Sequence, residues 1–293
     1  MREPRIRRSM LMTPGNRPER LAKAASYGAD ALIFDLEDSV PPAEKERARQ
    51  CVAQALRELP RDGRERCVRI NGLATGHGAA DLAALPLERV DSIMVPKVES
   101  AAALLEVAER IGSTAVEIIA TLETPRGILG ALAIAEATPR TTALFFGSGD
   151  YTSALGAAPV DAVLHYPRSV MTLAAAAAGI QAIDAAFFAD VKNAEATRRD
   201  ALVARELGFA GKVVFHPEQV RVANEVFSPT RAEIERARTV VSAYRAGLEK
   251  GLGTSVTGGV FVAVDLVPPA ERLLKMAAML ESSEERERSV VKP

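Results

Sequence analysis

The sequence predicts an α/β fold: a closed TIM-type (β/α)8 barrel followed by a C-terminal helical extension. Three observations point there. Eight short apolar runs recur along the first two-thirds of the chain, amphipathic helical patterns separate most of them, and the residues able to do chemistry gather where the runs end. Alternation of strand and helix repeated eight times closes a parallel barrel. A doubly wound open sheet would call for a glycine fingerprint after its first strand, and there is none.

The expected strands cover about 8–13, 31–37, 67–71, 92–97, 117–123, 142–147, 181–186 and 212–216. The helix after the second strand is the clearest. Ala48, Cys51, Val52, Ala55, Leu56 and Leu59 recur at three- and four-residue spacing, while Glu44, Lys45, Glu46 and Arg49 are expected to face water. A second helix spans about 100–111, with Leu104, Leu105, Ala108 and Ile111 on its apolar side, Ser100 as its cap and Gly112 as its stop. Ala174 to Ala178 is apolar but short, and reads as helix tucked against the barrel.

The pattern changes after His216-Pro217. Ser228-Pro229-Thr230 opens a charged helix running to about Lys250, and a glycine-rich stretch from Gly251 to Gly259 follows. A short strand from Val260 to Val264 precedes Asp265, and Pro268-Pro269 opens a last helix. The barrel is therefore assigned to residues 1–227 and a C-terminal extension and lid to 228–293. So small a tail cannot bury its own apolar face, so it is expected to pack on its own barrel or on a neighbour's. Only the last ten residues, Glu284 to Pro293, read as a disordered tract.

Composition narrows the function. The chain has 293 residues, of which 48% are hydrophobic, 26% charged and only 4% aromatic, with no Trp. That supports a large aliphatic core rather than an aromatic-rich binding surface. A formal charge of −1 without a long basic run argues against a nucleic-acid surface, so anionic substrates must be held by local positive charge. No stretch is apolar enough to span a membrane, and the basic N-terminus precedes a strand rather than a secretory core. Cys51 and Cys67 lack companions at zinc-ligand spacing and read as core residues, which makes a reducing cytoplasm the default location.

The chemistry is expected at the strand ends. Glu123 closes the fifth strand and Asp150 the sixth, and two such carboxylates can share a hard divalent cation while water and substrate oxygens complete its shell. The competing reading makes them caps of the following helices. Gly147-Ser148-Gly149 favours the ligand reading, because small residues let a ligand approach the backbone. Arg69 interrupts an apolar Val-Arg-Ile run, and a guanidinium buried there demands an anionic partner, either substrate or one of Asp35, Glu37 and Asp38. Of Glu37 and Asp38, one orients Arg69 or a metal-bound water and the other caps a helix. Lys97 follows Val95-Pro96 and either extends the positive pocket or is solvated. His216 reads as a structural brace, and His77 and His165 have no assigned role. No Walker lysine follows a glycine run and no Gly-x-Ser-x-Gly elbow is present.

Ordered blocks along the chain carry a family resemblance. Arg8-Ser9-Met10-Leu11, Pro14-Gly15-Asn16, Asp35-Leu36-Glu37-Asp38, Val68-Arg69-Ile70-Asn71 and Pro96-Lys97-Val98-Glu99 resemble the citrate lyase beta subunit family. So do Glu123-Thr124-Pro125-Arg126-Gly127, Gly147-Ser148-Gly149-Asp150, Gly208-Phe209-Ala210-Gly211-Lys212 and His216-Pro217-Glu218-Gln219, in order from about residue 8 to 280. The family includes citryl-, malyl- and citramalyl-CoA lyases. The resemblance implies a barrel with Mg2+ on Glu123 and Asp150 and with Arg69 contacting an oxo-acid or enolate. It also implies a homotrimer in which Gly259 to Asp265 forms a lid over a neighbour's site, with Asp265 as the acid/base of the malyl- and citramalyl-CoA lyase branch.

The expected activity is a magnesium-dependent carbon–carbon lyase acting on a 3-hydroxy-acyl-CoA. It yields an acyl-CoA and an oxo-acid of the oxaloacetate, pyruvate or glyoxylate type. Arg69, Asp265 and Glu37 are its catalytic candidates; Arg69, Glu123, Lys97 and Arg20 are its substrate-binding candidates. Two alternatives stay open: a subunit that works only within a citrate lyase complex, and a 2-oxo-acid aldolase that never uses coenzyme A and has little use for Arg20 or Lys23.

Overall fold

The computed structural model describes residues 5–185 and 189–290. Eight parallel strands close a barrel in chain order: β1 (Ser9–Pro14), β2 (Ala31–Asp35), β3 (Glu65–Arg69), β4 (Ser92–Val95), β5 (Glu117–Leu122), β6 (Thr141–Phe146), β7 (Gln181–Ala185) and β8 (Gly211–Val214). All eight expected strands are present with shifted ends; residue 186, the expected end of the seventh, lies outside the described residues. Cys67 does not open β3 but sits at its middle. Glu65 and Arg66 precede it in the strand, and charged residues are invisible to a search for apolar runs.

The barrel interior explains those charges. Side chains alternate across a strand, so β3 turns Glu65, Cys67 and Arg69 inward at successive levels. At the floor, buried Arg7 donates to both Glu65 oxygens (2.7 and 2.8 Å) and to Glu117 (2.8 Å). The middle is apolar, with Met10, Ile33, Cys67, Met94, Ile119 and Phe145 among its members. Burial pushes the Cys67 thiol up to about 12, so it stays a neutral core group. The mouth is ionic again, with Asp35 and Arg69 at the ends of their strands.

Helices α1 (Pro18–Ala24), α2 (Lys45–Glu58), α3 (His77–Ala84), α4 (Ala101–Arg110), α5 (Pro125–Leu129) and α6 (Ala131–Ala135) surround the first strands. Helices α7 (Ser148–Leu155), α8 (Asp161–Ala178), α9 (Ala194–Glu206) and α10 (Pro217–Phe227) complete the ring. The Ala174 to Ala178 run is the end of α8. Ser100 stands at the N-cap of α4 without a side-chain capping bond, and α4 stops before Gly112, whose φ is 59°.

One expectation for α2 is overturned. Lys45 and Arg49 do not face water; both are buried. Lys45 Nζ donates to the carbonyls of Leu36 and Glu37, each at 2.7 Å, and Arg49 Nε donates to buried Asp81 at 2.8 Å. A long cationic side chain is buried at small cost when carbonyls and a carboxylate replace its water.

Outside the barrel, Asp184 of β7 and Lys212 of β8 meet Arg168 and Asp200 in a buried ionic cluster, with Arg168–Asp200 and Lys212–Asp200 both at 2.7 Å. Burial alone would raise the Asp200 pKa, but Lys212 and Arg168 hold it below the usual carboxylate range. Its folded value thus lies below its unfolded one, and the stability it contributes is full above about pH 4 and lost as pH falls further. The Asp200→Asn variant should show a flatter acid limb below about pH 4 in its melting-temperature profile. A limb as steep as wild type would show that Asp200 carries none of this dependence.

The contacts divide the chain into two compact units, Arg7–Phe227 and the segment from Ser228 together with the residues that precede Arg7. The second holds α11 (Arg231–Glu249), an antiparallel pair β9 (Ser255–Thr257) and β10 (Val260–Val262), and α12 (Val267–Val290). Ala237, Val240, Val241, Val262 and Ala270 form its own small core. Two details differ from the sequence reading. Ser255–Thr257 is a strand, because Gly258 and Gly259, both at positive φ, turn the chain back on itself. The last helix also continues to Val290, through residues read as disordered; residues 291–293 lie outside the described residues. Among the described residues no helix is long and apolar enough to cross a membrane.

Candidate active site

Five of the seven predicted site residues come together at the C-terminal mouth of the barrel. β2 ends at Asp35, two residues earlier than expected, so Glu37 and Asp38 lie on the loop that follows it rather than on the strand. That loop is tightly built. Asp35 Oδ1 accepts the Glu37 amide (3.0 Å), Asp35 Oδ2 accepts the Ser39 amide (3.1 Å) and the Ser39 hydroxyl, and Asn71 Nδ2 joins Lys45 on the Leu36 carbonyl (2.8 Å). Glu37 is buried by this arrangement, and Asp38 is exposed.

Arg69 closes β3 beside the loop. Its Nε and Nη2 donate to the two Asp35 oxygens at 2.6 and 2.7 Å, and its Nη1 stands 3.1 Å from Glu37 Oε2 in an ion pair. Burial disfavours the charge on both partners, yet their hydrogen bonds outweigh it: Arg69 is raised and Asp35 lowered from their ordinary values. The structural partner is therefore Asp35, with Glu37 second. Of the five guanidinium donors only two are engaged by Asp35, which leaves others for a substrate oxygen. Glu37 Oε2, although buried, accepts no hydrogen bond.

Glu123 follows β5 directly and is buried. Its Oε1 accepts the Lys97 amide at 2.8 Å. Burial first, then the nearby carboxylates Glu37 and Asp150, push its carboxyl up to about 8. Asp150 does not end β6; it lies in the first turn of α7, exposed, and from there adjoins Glu123. Gly147 leaves the strand and α7 starts at Ser148, so the acidic residue rides on the helix. Gly147 is also a cradle, since a Cβ built there would stand 2.5 Å from Glu123 Oε2 and 2.6 Å from Glu123 Cβ. Only glycine lets Glu123 lie where it does.

Lys97 bridges the two halves. Its Nζ donates to Glu37 Oε1 at 2.9 Å and to both Asp38 oxygens at 3.3 Å. Its ammonium is thus engaged by carboxylates while the side chain stays half-exposed. Two further predicted residues stand on other elements. Arg20 is exposed on α1 after β1, and Asp265 is exposed in a short 3-10 turn, Val264–Leu266, of the C-terminal unit. His216 Nδ1 accepts the Glu218 amide at the start of α10, a structural use, and His77 meets Arg49 at 3.3 Å. Sequence reasoning missed Lys45, Asn71 and Asp81, which hold the Glu37 loop from below. Asp81 accepts the Asn71 amide at 2.7 Å while Arg49 balances it. Nothing in their spacing marks them, because each is satisfied by groups distant in sequence.

The donor set suits a hard divalent cation of small radius. Glu123 and Asp150 are neighbouring oxygen donors, and a bound cation would offset the burial and the like charges that raise Glu123. Among the described residues no cluster of three or more His, Cys, Asp or Glu side chains could hold a metal. A cation bound here would keep open positions for water and substrate oxygens, the habit of magnesium rather than zinc. The anion-binding side is supplied by Arg69.

Residues 8–217 match the HpcH/HpaI aldolase/citrate lyase family. The chain is 36% identical over 290 residues to citrate lyase subunit beta of Leuconostoc mesenteroides subsp. cremoris, covering 94% of this chain and 95% of that protein. It is 37% identical over 275 residues to a (3S)-malyl-CoA thioesterase of Cereibacter sphaeroides, covering 93% and 95%. Among solved structures it is similar to CitE from Mycobacterium tuberculosis in complex with magnesium, acetoacetate and coenzyme A, with TM-score 0.75, 33% identity, and 92% and 97% coverage. It is likewise similar to a citrate lyase beta subunit from M. tuberculosis complexed with oxaloacetate and magnesium, with TM-score 0.66, 35% identity, and 75% and 96% coverage. With its barrel, its paired carboxylates and its buried arginine fork, the chain belongs to the HpcH/HpaI aldolase/citrate lyase family and is a lyase of that family.

Proposed function

We propose that this protein is a magnesium-dependent carbon–carbon lyase cleaving a 3-hydroxy-acyl-CoA of the citryl-, malyl- or citramalyl-CoA type to an oxo-acid and an acyl-CoA. The observation that carries the reading is the placement of Glu123 and Asp150 beside the Arg69–Asp35–Glu37 group at one barrel mouth. Glu123 and Asp150 would hold the magnesium, which supplies Lewis-acid character to a carboxylate and the oxygen next to it. The chain's own groups do the rest. Glu37, whose pKa burial raises and whose Oε2 accepts no hydrogen bond, is suited to take the hydroxyl proton as the carbon–carbon bond breaks. The electron pair of that bond passes to the thioester fragment as an enolate. The free donors of Arg69 stabilise the negative oxygen, since preorganised donors act where charge develops.

The enolate carbon must then gain a proton. Asp265 is assigned that step, delivered by the C-terminal unit of a neighbouring subunit in a homotrimer. In support, the segment around Asp265 exposes Val256, Phe261 and Val264, large apolar groups suited to being covered. Mixing Glu123→Ala chains with Asp265→Ala chains tests this. Each variant alone should be inactive, and mixed oligomers should regain a fraction of wild-type turnover, because some sites then combine an intact Glu123 with an intact Asp265. No recovery despite demonstrated subunit exchange would mean that each lid serves its own barrel or that Asp265 is idle. Arg20, exposed beyond β1, is assigned to the coenzyme A phosphates, and the free Cys51 and Cys67 fit a cytoplasmic protein.

The relative named as a malyl-CoA thioesterase favours a second reading, in which Glu37 activates water against the thioester. A panel of citryl-, malyl- and citramalyl-CoA, with and without magnesium, separates the two. The lyase yields oxo-acid and acyl-CoA; the thioesterase yields free coenzyme A and the hydroxy acid. Failure of the purified chain on every free thioester, with activity restored by partner subunits, would make it a subunit of a larger citrate lyase.

A further inference from the structure

Lys97 is the one non-glycine residue at positive φ (50°) among the described residues. A left-handed conformation costs a residue with a Cβ about 1 kcal/mol or more and persists only where the surroundings over-determine it. Here they do. β4 ends at Val95, the chain bends through Pro96 and Lys97, and two successive amides thereby reach the β5 side. The Lys97 amide meets Glu123 Oε1 at 2.8 Å, and the Val98 amide meets the Thr121 carbonyl at 3.0 Å. Glycine would serve that backbone without strain. A lysine at such a position is explained by what its ammonium does, and the ammonium binds Glu37 and Asp38.

We propose that Lys97 is a positioning residue: its strained backbone holds Glu123 while its ammonium locks Glu37 against Arg69, so that one residue sets the metal side and the arginine side in register. The inference rests on the lyase reading for its effect on turnover, but not for the strain or for the coupling to Glu37. Because Lys97 acts through Glu37 rather than on substrate, its loss should lower kcat and leave KM alone.

Five variants and two readouts decide it. Lys97→Met and Lys97→Gly should each lose at least tenfold in kcat with KM within threefold of wild type, and Lys97→Arg, which keeps a cation for Glu37, should recover most of the loss. A raised KM with kcat unchanged would make Lys97 a substrate contact and sink the proposal while leaving the lyase reading intact. Melting of the metal-free protein needs no activity. Lys97→Gly should melt about 2 °C above Lys97→Ala, since only glycine is relieved of strain. Lys97→Met and Glu37→Gln should combine non-additively in melting temperature. Equal melting of the glycine and alanine variants together with additivity at Glu37 overturns the proposal whatever reaction the protein catalyses.

Discussion

Glu123→Ala should abolish magnesium-dependent turnover, a loss on the order of 10³-fold or more, about 4 kcal/mol of barrier, while the barrel stays folded. Magnesium keeps few protein ligands, so removing one of two carboxylates leaves little to hold it. The fold has little to lose. Glu123 is buried next to Glu37 and Asp150, and its carboxyl sits at about 8, so its ionisation in the folded protein is opposed. A folded pKa above the unfolded one lowers stability as pH rises through it, and the alanine variant should therefore melt as high as wild type, or higher, near pH 9. Isothermal calorimetry checks the metal claim directly: an unchanged magnesium affinity would falsify the ligand assignment. Gly147→Ala reaches the same group from behind. Its new Cβ would collide with Glu123, so magnesium affinity should fall without any ligand being removed, with a stability cost of about 1–3 kcal/mol.

Arg69→Lys should cost at least tenfold in turnover, about 1.4 kcal/mol, although it keeps the positive charge. The guanidinium grips both oxygens of Asp35 with Nε and Nη2 and still presents Nη1 toward Glu37; a lysine ammonium is a point charge and cannot hold that fork. Arg69→Ala goes further. It leaves the fully buried Asp35 without its main partner, and breaking a buried pair in this way costs about 3–5 kcal/mol of stability. Turnover for the lysine variant and melting for the alanine variant are thus separate measurements. Near-normal turnover in Arg69→Lys would show that Arg69 only braces the Asp35 loop.

Much of this site is legible from strand ends alone. Glu123, Arg69 and Lys97 stand within two residues of their strands' ends, where a parallel barrel gathers side chains on one face. Their roles are less legible. Lys97 reads as either a pocket cation or a solvated one, and only the observed contacts show it engaged by Glu37 and Asp38. Lys45 reads as a solvated residue on a polar face, because hydropathy does not register that two carbonyls await its ammonium. Asp150 reads as a strand terminus because the helix of which it is part begins with Ser-Gly, a poor helix signal.

The sequence by itself determined the barrel, since short apolar runs alternating with amphipathic helices have few other ways to bury both faces of a parallel sheet. It also determined which residue types reach the mouth. Only the tertiary structure decided who partners whom: Asp35 with Arg69, Glu37 with Lys97, Arg7 with the floor carboxylates. Those pairs join residues 34, 60 and 58 positions apart, and a buried charge is satisfied by whichever group closure of the barrel brings near, which no local spacing encodes.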